Sequence, residues 1–236
     1  MATQHEGQVT VQRSSGSPAQ IVQTFSTPVA RITCPYADEF NGQLADLVLA
    51  RLDPLNSQLA YKLETPDMAN WGEPVVDAIS GWVLRMARQF VETVIGQSLD
   101  DAWADAIARG SSNVSGAGGL EEHQVVSVVV GRSWASVYRK NDHHEAHFHP
   151  NTALTAIYYV EAPGPCELDL IDPRLNVDYF NPGIALAGEG HRVRLSCAPG
   201  ELVLFPGWLK HSVPDFQDES VRMSISWNLN YAVGKS

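Results

Sequence analysis

The sequence has few cysteines and no long apolar segment. Its three cysteines, Cys34, Cys166 and Cys197, are far apart among 236 residues. An odd and widely spaced set fits neither a disulfide framework nor a zinc ribbon, so we expect a reducing, cytoplasmic environment. No run approaches the roughly 18 apolar residues of a membrane-spanning helix, and residues 1–20 lack the apolar core of a secretory signal. We therefore expect neither secretion nor membrane insertion.

Basic residues are also scarce. Sixteen Lys and Arg oppose 27 Asp and Glu, which gives a formal net charge of −11. So acidic a surface repels a phosphate backbone, and we expect no nucleic-acid partner. The phosphate-binding patterns GxGxxG and GxxxxGK[ST] are absent as well. What the chain does have is 44% hydrophobic residues, enough for a folded core.

The chain divides into a polar tail, a helical part and a strand-rich part. Residues 1–23 are polar and without apolar periodicity, which predicts a flexible tail. Residues 24–236 form one domain, in which residues 24–118 are mostly helical. Apolar residues recur at helical spacing in three segments, 38–52, 75–94 and 100–109. Gly96 is expected to end the second helix and Ser98 to cap the third.

Short strands dominate after residue 119. Two of them, at residues 125–130 and 133–139, flank Gly131 and Arg132 and predict a hairpin. The other predicted strands are residues 154–160, 166–171, 192–197, 201–205, 209–213 and 221–231. Helices followed by many short strands, without alternation of the two, favour an antiparallel sandwich or jelly roll over residues 119–236.

Four of the eight histidines lie within seven residues, in the segment NDHHEAHFHPN. Residues two apart in a strand share a face, so His147 and His149 are expected to point at one object. With a third ligand from a distant strand they make an open facial metal site. A solvated polar turn is the alternative. His143 and His144 are expected to surround the site or face solvent, and Glu145 is not expected to be a ligand.

A second group of polar residues lies near the carboxyl terminus. His211 follows a predicted strand and the Pro–Gly corner at residues 206–207, and Arg222 comes eleven residues later. Arg222, Ser224 and Asn228 share one face of the last strand. If that face lines a pocket, Arg222 offers a permanent charge to a carboxylate. If the strand is at an edge, the face is simply solvated.

These segments resemble a family of microbial and phage 2-oxoglutarate–Fe(II) oxygenases. The stretches HFHPNTALTAIYYV, DPR and PGELVLFPGWLKHSV…RMSISWN are similar to that family's HxHPxSxLSGVYYV, DPR and PxxGxLxLFPSWLxHxVxP…RxSISFN. The resemblance covers about residues 134–231. It implies a mainly β fold, a double-stranded β-helix (jelly roll, cupin-like), with the N-terminal helices packed on the sheet.

The resemblance also implies a reaction. The chain would be a 2-oxoglutarate/Fe(II)-dependent dioxygenase. It would use dioxygen, Fe(II) and the cosubstrate 2-oxoglutarate to hydroxylate a small-molecule or peptide substrate. Arg222 and Ser224 would bind the distal carboxylate of 2-oxoglutarate. Thr155 and Tyr158 are candidates to offer hydroxyl groups, and Asn228 to line the pocket. A homo-oligomer is compatible with the sequence.

Two questions stay open at this point. Most relatives have Asp or Glu two residues after the first histidine, where this chain has His149. Either His147, His149 and His211 form a three-histidine site, or His149 turns away and leaves a position for water or halide. A carboxylate from Asp169 or Asp172 is a further alternative ligand. Strand parity favours the three-histidine site. The alternative functions are a cupin-type metal-binding protein, a 2-oxoglutarate-independent dioxygenase, which would not need Arg222, and a metal-free binding module.

Overall fold

The structure is a computed structural model that describes residues 8–11, 19–22, 26–52, 61–65, 67–110, 124–174 and 192–235. The helices are α1 (Ala37–Arg51), α2 (Pro74–Ile95) and α3 (Leu99–Ala108), with a 3₁₀ helix at Met68–Asn70. The strands are β1 (Gln8–Val11), β2 (Ala19–Val22), β3 (Ala30–Thr33), β4 (Leu63–Glu64), β5 (Gln124–Tyr138), β6 (His144–His147), β7 (Leu154–Glu161), β8 (Glu167–Ile171), β9 (Arg192–Ser196), β10 (Glu201–Pro206), β11 (His211–Val213) and β12 (Arg222–Lys235).

The helices begin and end where local chemistry favours it. Pro74 is the first residue of α2, a position where its missing N–H costs nothing. Gly96 ends that helix with a φ of +73°, which a residue with a side chain adopts at a cost. The Ser98 side chain accepts a hydrogen bond from the Asp101 N–H at 3.1 Å and so caps α3. The three predicted helices are confirmed.

Two antiparallel sheets form the strand-rich part. The larger has the strand order β3-β10-β7-β12-β5-β4 and the smaller has β6-β11-β8-β9. Successive strands alternate between the sheets from β5 to β8 and again from β9 to β12, and the two sheets form a jelly roll. This confirms the predicted double-stranded β-helix with helices in the N-terminal part.

The predicted hairpin at Gly131 is wrong. Residues 124–138 form the single strand β5, which pairs with β12 along its whole length. Asn228 is opposite Arg132 and Leu229 is opposite Val130, so Gly131 is the extra residue of a bulge. A Cβ atom at residue 131 would lie 3.3 Å from the Asn228 carbonyl oxygen. The glycine therefore marks a close backbone approach inside a strand and not a chain reversal.

The large sheet packs on both faces, which separates two hydrophobic clusters. On one face, α1 and α2 cover side chains such as Ala156 and Tyr158 of β7. On the other face, Ile157 and Tyr159 of the same strand meet Leu168 and Leu170 of the small sheet. Alternate residues of β7 thus belong to different layers, and only the second layer borders the space between the sheets.

Most of the predicted tail, residues 1–23, lies outside the described residues. Within it β1 pairs with β2 in an antiparallel hairpin that the sequence pattern did not predict. Residues 53–60, 66 and 111–118 of the predicted helical part are also outside the described ranges. In the part of the chain that the structure describes, no helix combines the length and apolar character needed to cross a membrane.

Candidate metal centre

A polar pocket lies between the two sheets, where β5, β7 and β12 face β6 and β11. It encloses about 340 Å³ of empty space, part of which is open solvent. The side chains that line it are Lys62, Trp134, Ser136, Tyr138, His144, His147, His149, Thr155, Ile157, His211, Ser224 and Ser226. Several of the residues predicted from separate parts of the sequence therefore meet in one place.

Three histidines converge at one end of this pocket. His147 ends β6 and is directly opposite His211, which begins β11. One ring nitrogen from each of His147, His149 and His211 lies within 4.8 Å of the other two. Within the described ranges, no other group of His, Cys, Asp or Glu side chains comes this close together. The arrangement can hold one metal ion with three ligands and leave further positions open.

His149 reaches the cluster by a different route from the one that strand parity predicts. Strand β6 ends at His147, so the two histidines do not share a strand face. The His149 backbone N–H instead donates to the Gly207 carbonyl at 2.9 Å, which fixes the loop after β6. A Cβ atom at Gly207 would lie 2.3 Å from the Thr152 carbonyl oxygen, so this approach requires glycine. The loop brings His149 Nε2 to 3.4 Å from His211 Nε2.

Backbone carbonyls orient two of the rings. His147 Nδ1–H donates to the Glu145 carbonyl at 2.7 Å, and His211 Nδ1–H donates to the Leu209 carbonyl at 2.9 Å. A neutral imidazole that gives its proton at Nδ1 keeps a lone pair at Nε2. Both rings therefore present Nε2, the nitrogen that a metal ion needs. The hydrogen bond from Nδ1 to the carbonyl holds each ring in this orientation.

Burial keeps the three imidazoles uncharged. Desolvation lowers the pKa of His211 to about 3 and that of His149 to about 4. Desolvation also lowers the pKa of His147, against a smaller opposing effect of its bond to the Glu145 carbonyl. Neutral imidazole is the form that binds metal ions. At neutral pH the cluster is thus ready to bind a cation without first losing protons.

The neighbouring histidines have other contacts. His143 lies within 3.4 Å of both the Glu145 and Asp215 carboxylates, on the outside of the pocket. The Glu145 side chain is 82% exposed and lies outside the metal-binding group. His144 lines the pocket, with its ring centroid 3.9 Å from that of His147.

Arg222 lies deeper between the sheets. Its side chain is buried, with the guanidinium 5.0 Å from the ring centroid of Tyr138 and 5.4 Å from that of Tyr159. Arg222 Nη1 donates to the Glu167 carbonyl at 2.9 Å. Among the described residues Nε has no hydrogen-bond partner. A guanidinium stays charged on burial, so a cation without a carboxylate partner is held here.

Three further buried polar atoms have no hydrogen-bond partner among the described residues: Thr155 Oγ1, Tyr159 Oη and Asn228 Oδ1. Buried polar groups are nearly always paired in a native protein. Asn228 is opposite Thr155 in the ladder between β12 and β7. Together with Arg222 Nε, these atoms fit a pocket that is completed by a polar, anionic ligand.

Tyr158, a candidate for offering its hydroxyl group to the cosubstrate, lies on the helix-facing side of β7. Its hydroxyl group donates to Asn41 Oδ1 at 2.6 Å, and its ring packs edge-on against Trp82 of α2. Strand alternation turns Tyr158 towards the helices and turns Tyr159 towards the space between the sheets. Tyr159 is therefore the tyrosine of this pair that borders the pocket side, while Thr155 lines the pocket as predicted.

The two alternative carboxylate ligands lie elsewhere. Asp169 accepts hydrogen bonds from Arg194 at 2.7 and 2.8 Å and from Arg192 at 3.0 Å. The hydrogen bonds from Arg194, above all, hold the pKa of this carboxyl below its usual range. Asp172 accepts a hydrogen bond from the Arg174 backbone N–H at 2.9 Å, as in a turn. Neither aspartate belongs to the group that can hold a metal ion.

Several pocket residues were missed by the sequence reasoning. Trp134, Ser136 and Tyr138 alternate along β5 and face inward. All three lie within the predicted strand at residues 133–139, whose alternation places them on one face. Lys62 comes from an irregular segment before β4, so no periodic pattern marks it. Its ammonium group is buried beside the pocket and pairs with Glu64 Oε1 at 2.5 Å.

Comparison with solved structures confirms the fold. An oxidoreductase of the 2OG-Fe(II) oxygenase family from Burkholderia pseudomallei is 10% identical, with a TM-score of 0.51 over 86% of this chain and 84% of that chain. HygX from Streptomyces hygroscopicus, solved with nickel and 2-oxoglutarate bound, is 11% identical, with a TM-score of 0.50 over 87% and 83%. AviO1 from Streptomyces viridochromogenes Tue57 is 15% identical, with a TM-score of 0.51 over 87% and 90%.

Comparison by sequence finds one similar family. No curated protein sequence matches the chain. Residues 132–228 match the model of a family described as "Putative 2OG-Fe(II) oxygenase". This segment contains all three clustered histidines together with Thr155, Arg222 and Asn228. The part of the chain that forms the candidate metal centre is thus similar in sequence to that family.

Proposed function

We propose that the protein is a hydroxylase that couples the oxidative decarboxylation of 2-oxoglutarate to oxidation of a small-molecule or peptide substrate by dioxygen. The observation that carries this proposal is the combination of two features between the sheets, one in the pocket and one beside Tyr138, which lines it. Three neutral imidazoles meet at one end, and a buried arginine without a carboxylate partner among the described residues lies towards the other.

His147, His149 and His211 would hold the iron. Their nitrogen atoms are close enough together, and two of them present Nε2 because Nδ1 is bonded to a carbonyl. Three neutral ligands leave the full +2 charge of Fe(II) in place, whereas a site with one carboxylate ligand has +1. The missing carboxylate should therefore strengthen attraction to the dianion 2-oxoglutarate and weaken the affinity of the empty site for iron.

Arg222 and Ser224 would bind the distal carboxylate of 2-oxoglutarate. Both lie on the inner face of β12, and Ser224 lines the pocket. A carboxylate beside Arg222 would use the free Nε and compensate the buried charge. Thr155 and Asn228, with unpaired oxygen atoms on neighbouring strands, would line the same pocket nearer to His149.

The bound iron supplies the redox chemistry of the reaction. The chain's own contribution is to hold the ligands in a fixed geometry and to shield them from water. The rings of His147 and His211 are each fixed by a backbone carbonyl, so little reorganisation is needed on binding. Apolar side chains such as Ile157 and Phe205 separate the polar lining from the rest of the core.

The proposal is tested by anaerobic addition of Fe(II) and then 2-oxoglutarate to the metal-free protein. We expect a weak charge-transfer band in the visible that appears only when both are present, and slow succinate release once dioxygen is admitted. Glutarate, which has both carboxylates but no keto group, serves as the control for non-specific binding. A 2-oxoglutarate-independent dioxygenase would bind iron without producing the band, and a metal-free binding module would not retain iron.

A further inference from the structure

His144 is a fourth histidine beside the metal centre, outside the group that can hold the ion. It begins β6 and lines the pocket. Its ring lies against that of His147, with the centroids 3.9 Å apart and the planes inclined at 30°. His144 is not one of the residues whose ring nitrogens cluster, and its Nδ1 lies beside Lys62 Nζ instead.

Lys62 determines which nitrogen of His144 carries the proton. Its Nζ lies 2.9 Å from His144 Nδ1. An ammonium group only donates hydrogen bonds, so Nδ1 must be the acceptor. A neutral imidazole that accepts at Nδ1 carries its proton at Nε2. His144 is therefore held as a hydrogen-bond donor, the opposite tautomer to that of His147 and His211.

The charge of Lys62 is already compensated. Lys62 pairs with Glu64 Oε1 at 2.5 Å, and its Nζ also lies 3.5 Å from Ser136 Oγ. Its donors are thus directed at protein groups. The lining of the pocket contains no Asp or Glu side chain among the described residues, and no described residue accepts a hydrogen bond from His144 Nε2. A donor beside the metal centre is therefore available to a ligand or to water in the pocket.

We propose that His144 Nε2–H donates a hydrogen bond to the near carboxylate of 2-oxoglutarate, the one next to the keto group, and that Lys62 is the positioning residue that fixes this tautomer. The inference rests on the proposed function. In this arrangement His144 would bind the near carboxylate and Arg222 the distal carboxylate. The positions agree with this, since His144 lies against His147 at the metal end and Arg222 lies beyond Tyr138.

The test compares 2-oxoglutarate with pyruvate, which has the same near carboxylate and keto group but no distal carboxylate. Each acid is titrated anaerobically into the Fe(II)-loaded protein, and the charge-transfer band gives its dissociation constant. His144→Phe keeps a ring against His147 and removes the donor. We expect this variant to keep its iron. Its dissociation constants for 2-oxoglutarate and pyruvate should both rise by the same factor, about tenfold, the effect of losing one hydrogen bond to a charged acceptor.

Two variants provide matched controls. His143→Phe changes the adjacent histidine, whose contacts are with Glu145 and Asp215 outside the pocket, and should leave both dissociation constants unchanged. Arg222→Ala should weaken 2-oxoglutarate alone and leave pyruvate unaffected. The pattern across the two acids therefore separates the near-carboxylate donor from the distal-carboxylate cation.

Lys62 is tested through its coupling to His144. Lys62→Met should lower the affinity for both acids about threefold, because His144 keeps its donor but its tautomer is no longer fixed. Lys140→Met, at an exposed ion pair, should leave both affinities unchanged. In the His144→Phe background Lys62→Met should have no further effect. Additive losses would show that Lys62 acts directly on the anion and would remove its positioning role.

Three outcomes would overturn the inference. Unchanged affinity of His144→Phe for both acids excludes the hydrogen bond, and a loss for 2-oxoglutarate alone assigns His144 to the distal carboxylate. Loss of iron from His144→Phe makes the residue part of the metal centre itself. If the wild-type protein gives no charge-transfer band, the proposed function fails. If the wild-type protein gives the band and His144→Phe has unaltered dissociation constants, only this inference is refuted.

Discussion

The two ends of the space between the sheets differ in the charge of their buried side chains. At the metal end, burial lowers the pKa of every imidazole in the cluster, so the protein side of the site carries no charge. Beyond Tyr138, Arg222 cannot lose its proton and stays a cation in the interior. One end is therefore prepared for a cation and the other for an anion.

This difference explains which contacts each end has. Two of the three imidazoles at the metal end, His147 and His211, are bonded to backbone carbonyls before any ligand binds. Arg222 has one carbonyl and two aromatic rings around it, which is little compensation for a buried charge. The polar groups that await a partner are mostly on the large sheet, on Thr155, Tyr159, Arg222 and Asn228.

Arg222→Ala tests the comparison with the largest expected effect. Losing the partner of a buried charge costs about 3–5 kcal/mol, so 2-oxoglutarate affinity should fall at least about a hundredfold. Iron content after anaerobic reconstitution should stay that of the wild type. Arg139→Ala, at an exposed arginine, is the control. If the dissociation constant stays within about threefold of wild type, the cosubstrate does not use Arg222.

His149→Ala tests the metal end. Removing one of three ligands should reduce iron affinity at least tenfold, because altering even an outer partner of a ligand costs that much. Asp169→Ala and Asp172→Ala should keep their iron, since both carboxylates are bonded to arginines away from the cluster. Iron is measured after anaerobic reconstitution and desalting. Full occupancy in His149→Ala would mean that two histidines and another donor suffice.

Much of the architecture follows from the sequence pattern. The three helices and most strands are predicted because their apolar periods and capping residues are local signals, as with Gly96 and Ser98. The convergence of His147 with His211 rests on motif resemblance, because their opposition in the β6–β11 ladder is a long-range register. No local pattern carries that register.

The errors have the same physical origin. Gly131 has the local signature of a turn, and only its pairing with β12 makes it a bulge. Tyr158 and Tyr159 are chemically identical, and only the position of the helices decides which one is covered by Trp82. Lys62 enters the pocket from an irregular segment through the short pairing of β4 with β5. Tertiary pairing decided each of these positions.

The two adjacent tyrosines give the smallest and most selective test of the comparison between the faces of β7. Tyr158→Phe removes the hydrogen bond to Asn41 and should cost about 1 kcal/mol of unfolding free energy. It should leave 2-oxoglutarate affinity unchanged. Tyr159→Phe removes a hydroxyl group that has no partner among the described residues, so stability without ligand should stay the same or rise slightly.

If the Tyr159 hydroxyl contributes to cosubstrate binding, affinity in Tyr159→Phe should fall about two- to tenfold, the range for one neutral hydrogen bond. Urea unfolding and anaerobic titration of each variant separate the two effects. The ring of Tyr159 stays in place in the variant, so its contact with Arg222 is kept. Equal losses of 2-oxoglutarate affinity in both variants would contradict the division of β7 into a helix-facing side and a pocket-facing side, because the Tyr158 side chain contacts Asn41 and Trp82 on the helix-facing side.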